Sequence, residues 1–175
     1  MSRPTVAEIN LLALKRNVKK LKKITRSKIY PVVKANAYGH GLKRVIETIN
    51  GYISGYCVAT FEESIELRRL TSKSVVCMEG PYNLEELKNL EKLNIDYVIH
   101  SNRQISFLAE IISSDLSGNN KIWLKIDTGM NRLGFKENEI LKAFTKIISF
   151  KKKIVLMSHF SSASANTKAR KQSNK

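Results

Sequence analysis

Apolar positions in this chain switch repeatedly between a helical period and short continuous runs, and the switching predicts its elements. Leu14, Val18 and Leu21 recur at helical spacing while Lys15, Arg16, Lys19, Lys20, Lys22 and Lys23 take the other side, so a basic amphipathic helix follows a short extended segment, Thr5 to Asn10. The run Ile29 to Val33 then ends abruptly in Lys34 and the turn-forming residues up to Gly41, as a buried parallel strand does when it delivers a side chain to its carboxyl end. Val45, Ile46 and Ile49 mark a helix over Leu42 to Asn50. Further strands are expected at Gly55 to Ala59, Ser74 to Met78, Tyr97 to His100, Ile122 to Asp127 and Ile154 to Ser158. Between them Thr60 reads as an N-cap with Glu63 at the capping-box position of a helix to Leu70, and Asn83 opens a helix carrying Leu84, Leu87 and Leu90. Ser101 starts another helix through Ile112, Ser117 to Asn120 form a surface turn, and a last helix spans Glu137 to Ser149.

Six strands separated by five helices imply a parallel sheet, because each parallel pair needs a crossover that a helix supplies. Units of about 25 to 30 residues suit the repeats of a (β/α)8, or TIM, barrel better than long dinucleotide-fold crossovers. A closed barrel has eight strands, so the expectation is an incomplete one, about six of eight units over residues 11–160. Residues 1–10 form a short extended N-terminal segment, and residues 161–175 read as a basic polar tail, disordered or truncated.

Charge at first changes this picture and then does not. The formal net charge is +16, but residues 1–28 hold +8 of it and residues 151–175 hold +7, leaving the body between them at +1. No aromatic ladder interleaves the basic ends, so no dedicated nucleic-acid partner is expected. Cys57 and Cys77 sit in apolar runs rather than at a metal-type spacing, which points to reduced, buried thiols and no metal. No segment has the length of a signal-peptide core or a membrane span, so the expected location is the cytoplasm, with no membrane partner.

In a parallel barrel, chemistry collects at the carboxyl ends of the strands. Three such ends here carry Lys34 with Tyr38, Arg132, and His159. A lysine that ends a buried strand is partly desolvated, which favours the neutral amine able to add to an aldehyde, although a stem covering apolar surface with its head in water fits the same spacing. Arg132, between Gly129 and Gly134, can clamp an oxygen anion or simply be solvated, and His159 can lie on an aromatic cofactor, act as an acid or base, or be a satisfied strand-end histidine. Lys125 lies inside an apolar strand, where a buried ammonium needs a partner or a modification; Asp127 shares its face without necessarily touching it.

Four stretches resemble alanine racemases, in order and at similar separations: Arg3-Pro4-Thr5-Val6-Ala7-Glu8-Ile9-Asn10, the run Val32 to Gly41, the segment Leu124 to Phe135, and Met157-Ser158-His159-Phe160. The run Val-Val-Lys-Ala-Asn-Ala-Tyr-Gly-His-Gly is highly specific to that family, and the likeness extends to about Ala163. Ser164-Ala165 stand where the family usually has an acidic pair, and Asn131 stands for a common glycine. The resemblance implies a pyridoxal 5'-phosphate enzyme with a (β/α)8 barrel followed by a mainly β domain, absent here, acting as a homodimer that interconverts L- and D-alanine for peptidoglycan. Carried over, Lys34 would hold the cofactor and act as base on one face of the α-carbon. Tyr38 would contact the phosphate region, Arg132 would bond near the phenolic oxygen and bind substrate, and His159 would lie against the pyridine ring. Lys125 matches a position that is often carbamylated. The second base would come from the missing domain of a partner subunit, so this chain alone is expected to be inactive. Competing readings are another barrel-type pyridoxal-phosphate amino-acid racemase and a non-catalytic basic binding protein.

Overall fold

The computed structural model describes residues 4–111, 118–163 and 172–173. Helix α1 (Leu11–Ile24) is capped by the Asn10 side chain, which accepts from the Ala13 amide, and it buries Val18 while Leu14 is half-covered. Residues 4–10 before it pair with no strand among the described residues. A short helical segment, α2 (Lys34–Tyr38), is followed by α3 (Leu42–Ile49) and a 3₁₀ turn, Asn50–Tyr52. From there strand and helix alternate: β1 (Gly55–Val58), α4 (Phe61–Leu70), β2 (Ser74–Cys77), α5 (Leu84–Lys92), β3 (Asp96–Ile99), α6 (Asn102–Glu110), β4 (Ile122–Lys125), α7 (Glu137–Ile148) and β5 (Ile154–Met157). The strands form one parallel sheet in the order β1-β2-β3-β4-β5.

Five strands, not six, are therefore present among the described residues. The expected first strand, Ile29 to Val33, contributes a single parallel bridge, Val32 to Cys57. Pro31 explains the loss: its carbonyl accepts from the Cys57 amide at 2.9 Å, but its nitrogen has no hydrogen to return to the ladder. The segment still lies alongside β1, held by the Val33 amide on the Cys57 carbonyl at 2.8 Å. The expected end at Ile112 of the helix that Ser101 starts, the turn residue Ser117 and most of the tail after Ala163 fall outside the described residues.

The sheet separates two cores. On the helix side, Tyr56, Val58, Val75, Cys77, Tyr97, Ile99, Ile122 and Leu124 pack against Leu67, Leu87, Leu90, Leu108 and Ile147. Each of those helix residues is fully buried, which stabilises by about 1.5–3 kcal/mol per side chain relative to exposure. On the inner face, Cys57, Val76 and Val98 form a smaller cluster with Tyr30, Met78, Trp123 and Met157. At the amino ends of the strands, Lys152 donates to Glu91 Oε2 at 2.6 Å, to Asn120 Oδ1 at 2.6 Å and to the Gly118 carbonyl at 2.7 Å, and Tyr97 donates to Glu91 Oε1 at 2.6 Å. This buried network ties the end of α5 to the segments that lead into β4 and β5.

Candidate functional site

At the opposite, carboxyl end of the sheet lies a cavity of about 600 Å³, within the range of small-molecule sites. All five residues singled out from the sequence line it: Lys34, Tyr38, Lys125, Arg132 and His159. Tyr30, Glu79 and Trp123 line it too and were not foreseen. The Tyr30 and Trp123 rings meet edge to face, 5.5 Å between centroids. Asp96 orients the indole, accepting from Trp123 Nε1 at 3.2 Å, from the Ser74 hydroxyl at 2.9 Å and from the Lys121 amide at 2.8 Å.

Lys34 is placed by an unusual backbone. Ala35, Asn36 and Ala37 have φ/ψ of 50/54°, 53/48° and 54/49°, and Tyr38 continues at φ 53°, so α2 winds left-handed. That conformation costs an L-residue about 1–2 kcal/mol, and asparagine less. Gly39 takes the left-handed φ of 79° at no cost as the chain leaves the segment, and the Asn36 side chain accepts the Leu42 amide at 2.7 Å to start α3. The winding turns Lys34 and Tyr38 to the same side, with the ammonium 6.0 Å from the centre of the Tyr38 ring.

Arg132 sits on a loop folded around Asp127, whose carboxylate accepts the Gly129 and Asn131 amides, each at 3.0 Å. Those amides hold the Asp127 carboxyl below its ordinary range. The loop closes where Phe135 donates to the Lys125 carbonyl at 2.9 Å and Asp127 donates to the Phe135 carbonyl at 2.9 Å. Gly134 makes the closure possible: at φ +124°, a Cβ there would lie 2.8 Å from the Asp127 nitrogen. Gln172 bridges this loop to the next, donating to Thr128 Oγ1 at 3.2 Å and to the His159 carbonyl at 3.1 Å.

The electrostatics of the cavity are cationic. Lys125 is 6% exposed; burial lowers its affinity for a proton, the Arg132 charge lowers it further, and Asp127 only partly opposes them. Asp127 forms no ion pair with Lys125 among the described residues, so the desolvation difficulty read from the sequence persists. Burial, then Arg132, Lys125 and Lys34, keep His159 below its ordinary pKa and hence neutral near pH 7. Burial pushes the Cys57 and Cys77 thiols up to about 12, which makes them inert packing groups.

A parallel βα sheet with lysine, arginine and histidine gathered at the strands' carboxyl ends defines a (β/α)-barrel protein with its site where barrel enzymes carry theirs. The family model described as alanine racemase, N-terminal domain, matches residues 9–175, and the chain belongs to that family. It is 39% identical over 167 residues to the alanine racemase of Erwinia tasmaniensis, covering 93% of this chain and 46% of that protein. Against the Coxiella burnetii enzyme it is 36% identical over 173 residues, 96% of this chain and 46% of that one. The solved alanine racemase of Acinetobacter baumannii superposes with a TM-score of 0.87 at 32% identity, over 95% of this chain and 50% of that one. The chain thus spans about half the length of the relatives it matches.

Proposed function

We propose that this chain is the cofactor-bearing part of an alanine racemase: a pyridoxal 5'-phosphate enzyme that interconverts L- and D-alanine for peptidoglycan precursors, working in the cytoplasm as a homodimer when full length. The observation that carries the reading is the convergence of Lys34, Tyr38, Lys125, Arg132 and His159 on one cavity in a member of this family. The donor set suits the cofactor. Arg132 would answer a phosphate or phenolate oxygen, Lys34 an aldehyde, and a planar ring would find a neutral imidazole and the aromatic wall of Tyr30 and Trp123. When bound, the cofactor supplies an electron sink that acidifies the α-carbon of a linked amino acid.

The chain's own groups would then divide the work. Lys34 would hold the cofactor at its aldehyde through the amine and, when free, would serve as the base on one face of the α-carbon. Tyr38 would contact the phosphate region. Arg132 holds an oxygen anion, the ring phenolate or the substrate carboxylate, in a fork geometry that lysine lacks. His159, neutral, would lie against the ring without adding a positive charge that competes for electrons. Lys125, carbamylated, becomes an anion beside Arg132, which resolves its burial as a cation.

The test is borohydride reduction of the purified chain with pyridoxal 5'-phosphate, followed by peptide mass mapping. Label on Lys34, lost in Lys34→Ala, is the expected result; label elsewhere or nowhere refutes the reading. Residues 1–175 alone should show no measurable alanine racemisation, since they supply one base for a two-face reaction.

A further inference from the structure

We infer that Glu63 is a positioning residue for Lys34, acting from α4 through the backbone; the inference rests on the proposed role of Lys34. From the sequence Glu63 is a capping-box glutamate, whose task is to accept the N-cap amide of its own helix. The distances rank its contacts otherwise. The Thr60 amide, the expected partner, is the longest at 3.3 Å. Oε1 accepts the Ala35 amide at 2.6 Å, 28 residues away in sequence, and Oε2 accepts the Ala59 amide at 2.8 Å. Among the described residues the carboxylate forms no ion pair, so backbone N–H groups are what it binds.

Ala35 is the residue after Lys34 and the first of the left-handed run. On the other side of Lys34, the Val33 amide is fixed to the Cys57 carbonyl at 2.8 Å. Lys34 is therefore pinned between two tethers, one backbone bond to β1 and one charge-assisted bond to Glu63 at the start of α4. Without the second, Ala35 keeps only the local turn bonds, its carbonyl accepting the Gly39 amide at 2.9 Å and the Val33 carbonyl accepting the Ala37 amide at 2.9 Å, and these must hold alone against alanine's preference for right-handed or extended geometry. The amine then leaves its place opposite Arg132 and His159. One negative charge serves both sides of the clamp. An amide cannot, because its single oxygen can take either Ala35 or the Ala59–Thr60 pair while its NH₂ faces another donor.

The experiment compares the wild-type chain, Glu63→Gln, Glu63→Asp and Thr60→Ala. The last removes the hydroxyl that accepts the Glu63 amide at 3.3 Å and loosens the cap, but leaves the carboxylate on Ala35. Each protein is incubated with saturating pyridoxal 5'-phosphate, and the rate and pH dependence of borohydride-trapped label on Lys34 are measured per folded molecule, with the folded fraction taken from near-ultraviolet circular dichroism. The expected result is trapping slowed by about 10–100-fold with a displaced pH profile in both Glu63 variants, the range for losing a hydrogen bond to a charged group, and unchanged trapping in Thr60→Ala. Wild-type rates in the Glu63 variants, or an equal loss in Thr60→Ala, would overturn the inference while leaving Lys34 as the cofactor lysine. Absence of label on Lys34 in the wild-type chain would instead remove the functional reading beneath it.

Discussion

Replacing Lys152 by methionine should destabilise the fold by about 3–5 kcal/mol, the usual cost of removing one partner from a buried ion pair. Lys152 and Glu91 side chains are 6% and 1% exposed, and their charged atoms are 2.6 Å apart. At that distance an effective dielectric of about 20 gives roughly 6 kcal/mol of attraction, from which the relief of no longer burying the ammonium must be subtracted. Methionine keeps much of the stem volume, so little of the loss is cavity formation. What remains is a Glu91 carboxylate with the Tyr97 hydroxyl on Oε1 and no cation on Oε2. Of a total stability of about 5–15 kcal/mol, this is a large fraction. Urea unfolding of the wild type, Lys152→Met, Glu91→Gln and the double variant would measure it. The neutral glutamine should recover at least half of the single-variant loss, because no charge is then stranded. A Lys152→Met loss below about 1 kcal/mol, or no recovery in the double variant, would refute the account.

Two further outcomes are expected. Gly134→Ala should weaken pyridoxal 5'-phosphate binding by at least about tenfold in an absorbance titration, because the added Cβ meets backbone atoms of Asp127, Ile126 and Lys125 and would force open the loop that presents Arg132. His100 should lower stability as pH falls. Burial, its first cause, holds its folded pKa below the ordinary 6.5, so on acidification the unfolded chain takes up this proton first. The urea midpoint should thus decline from about pH 6.5 downward until the folded histidine also titrates, and an NMR titration of His100 at or above 6.5 would contradict this.

How much of this was legible in the sequence depends on the range of the interactions. The capping box at Thr60 and Glu63 is a four-residue pattern and was read correctly, as were the caps at Asn83 and Ser101. The second task of Glu63 was not, because only the folded sheet brings Ala35 beside it. Gly39 and Gly41 announced a turn, but alanine and tyrosine disfavour left-handed geometry, so nothing local could have marked α2 as left-handed. Pro31 was a readable warning that Ile29 to Val33 could not form a full ladder. Convergence of the five site residues followed from their places at strand ends together with the family likeness. Trp123 was within reach of the same logic: two residues before Lys125 on β4, it shares that lysine's face.

The order of the sheet has a kinetic consequence. Every described strand pairs with the one just before it in the chain, so no strand waits for a distant partner. Synthesis runs at about 5–20 residues per second, so a βα unit of about 25 residues takes roughly one to five seconds to emerge, time in which it can dock on its predecessor before the next is complete. The Lys34 segment, laid against β1 at the first edge, is then among the earliest parts of the sheet to be held in place. Each later strand end then adds its side chain beside the segment that carries Lys34.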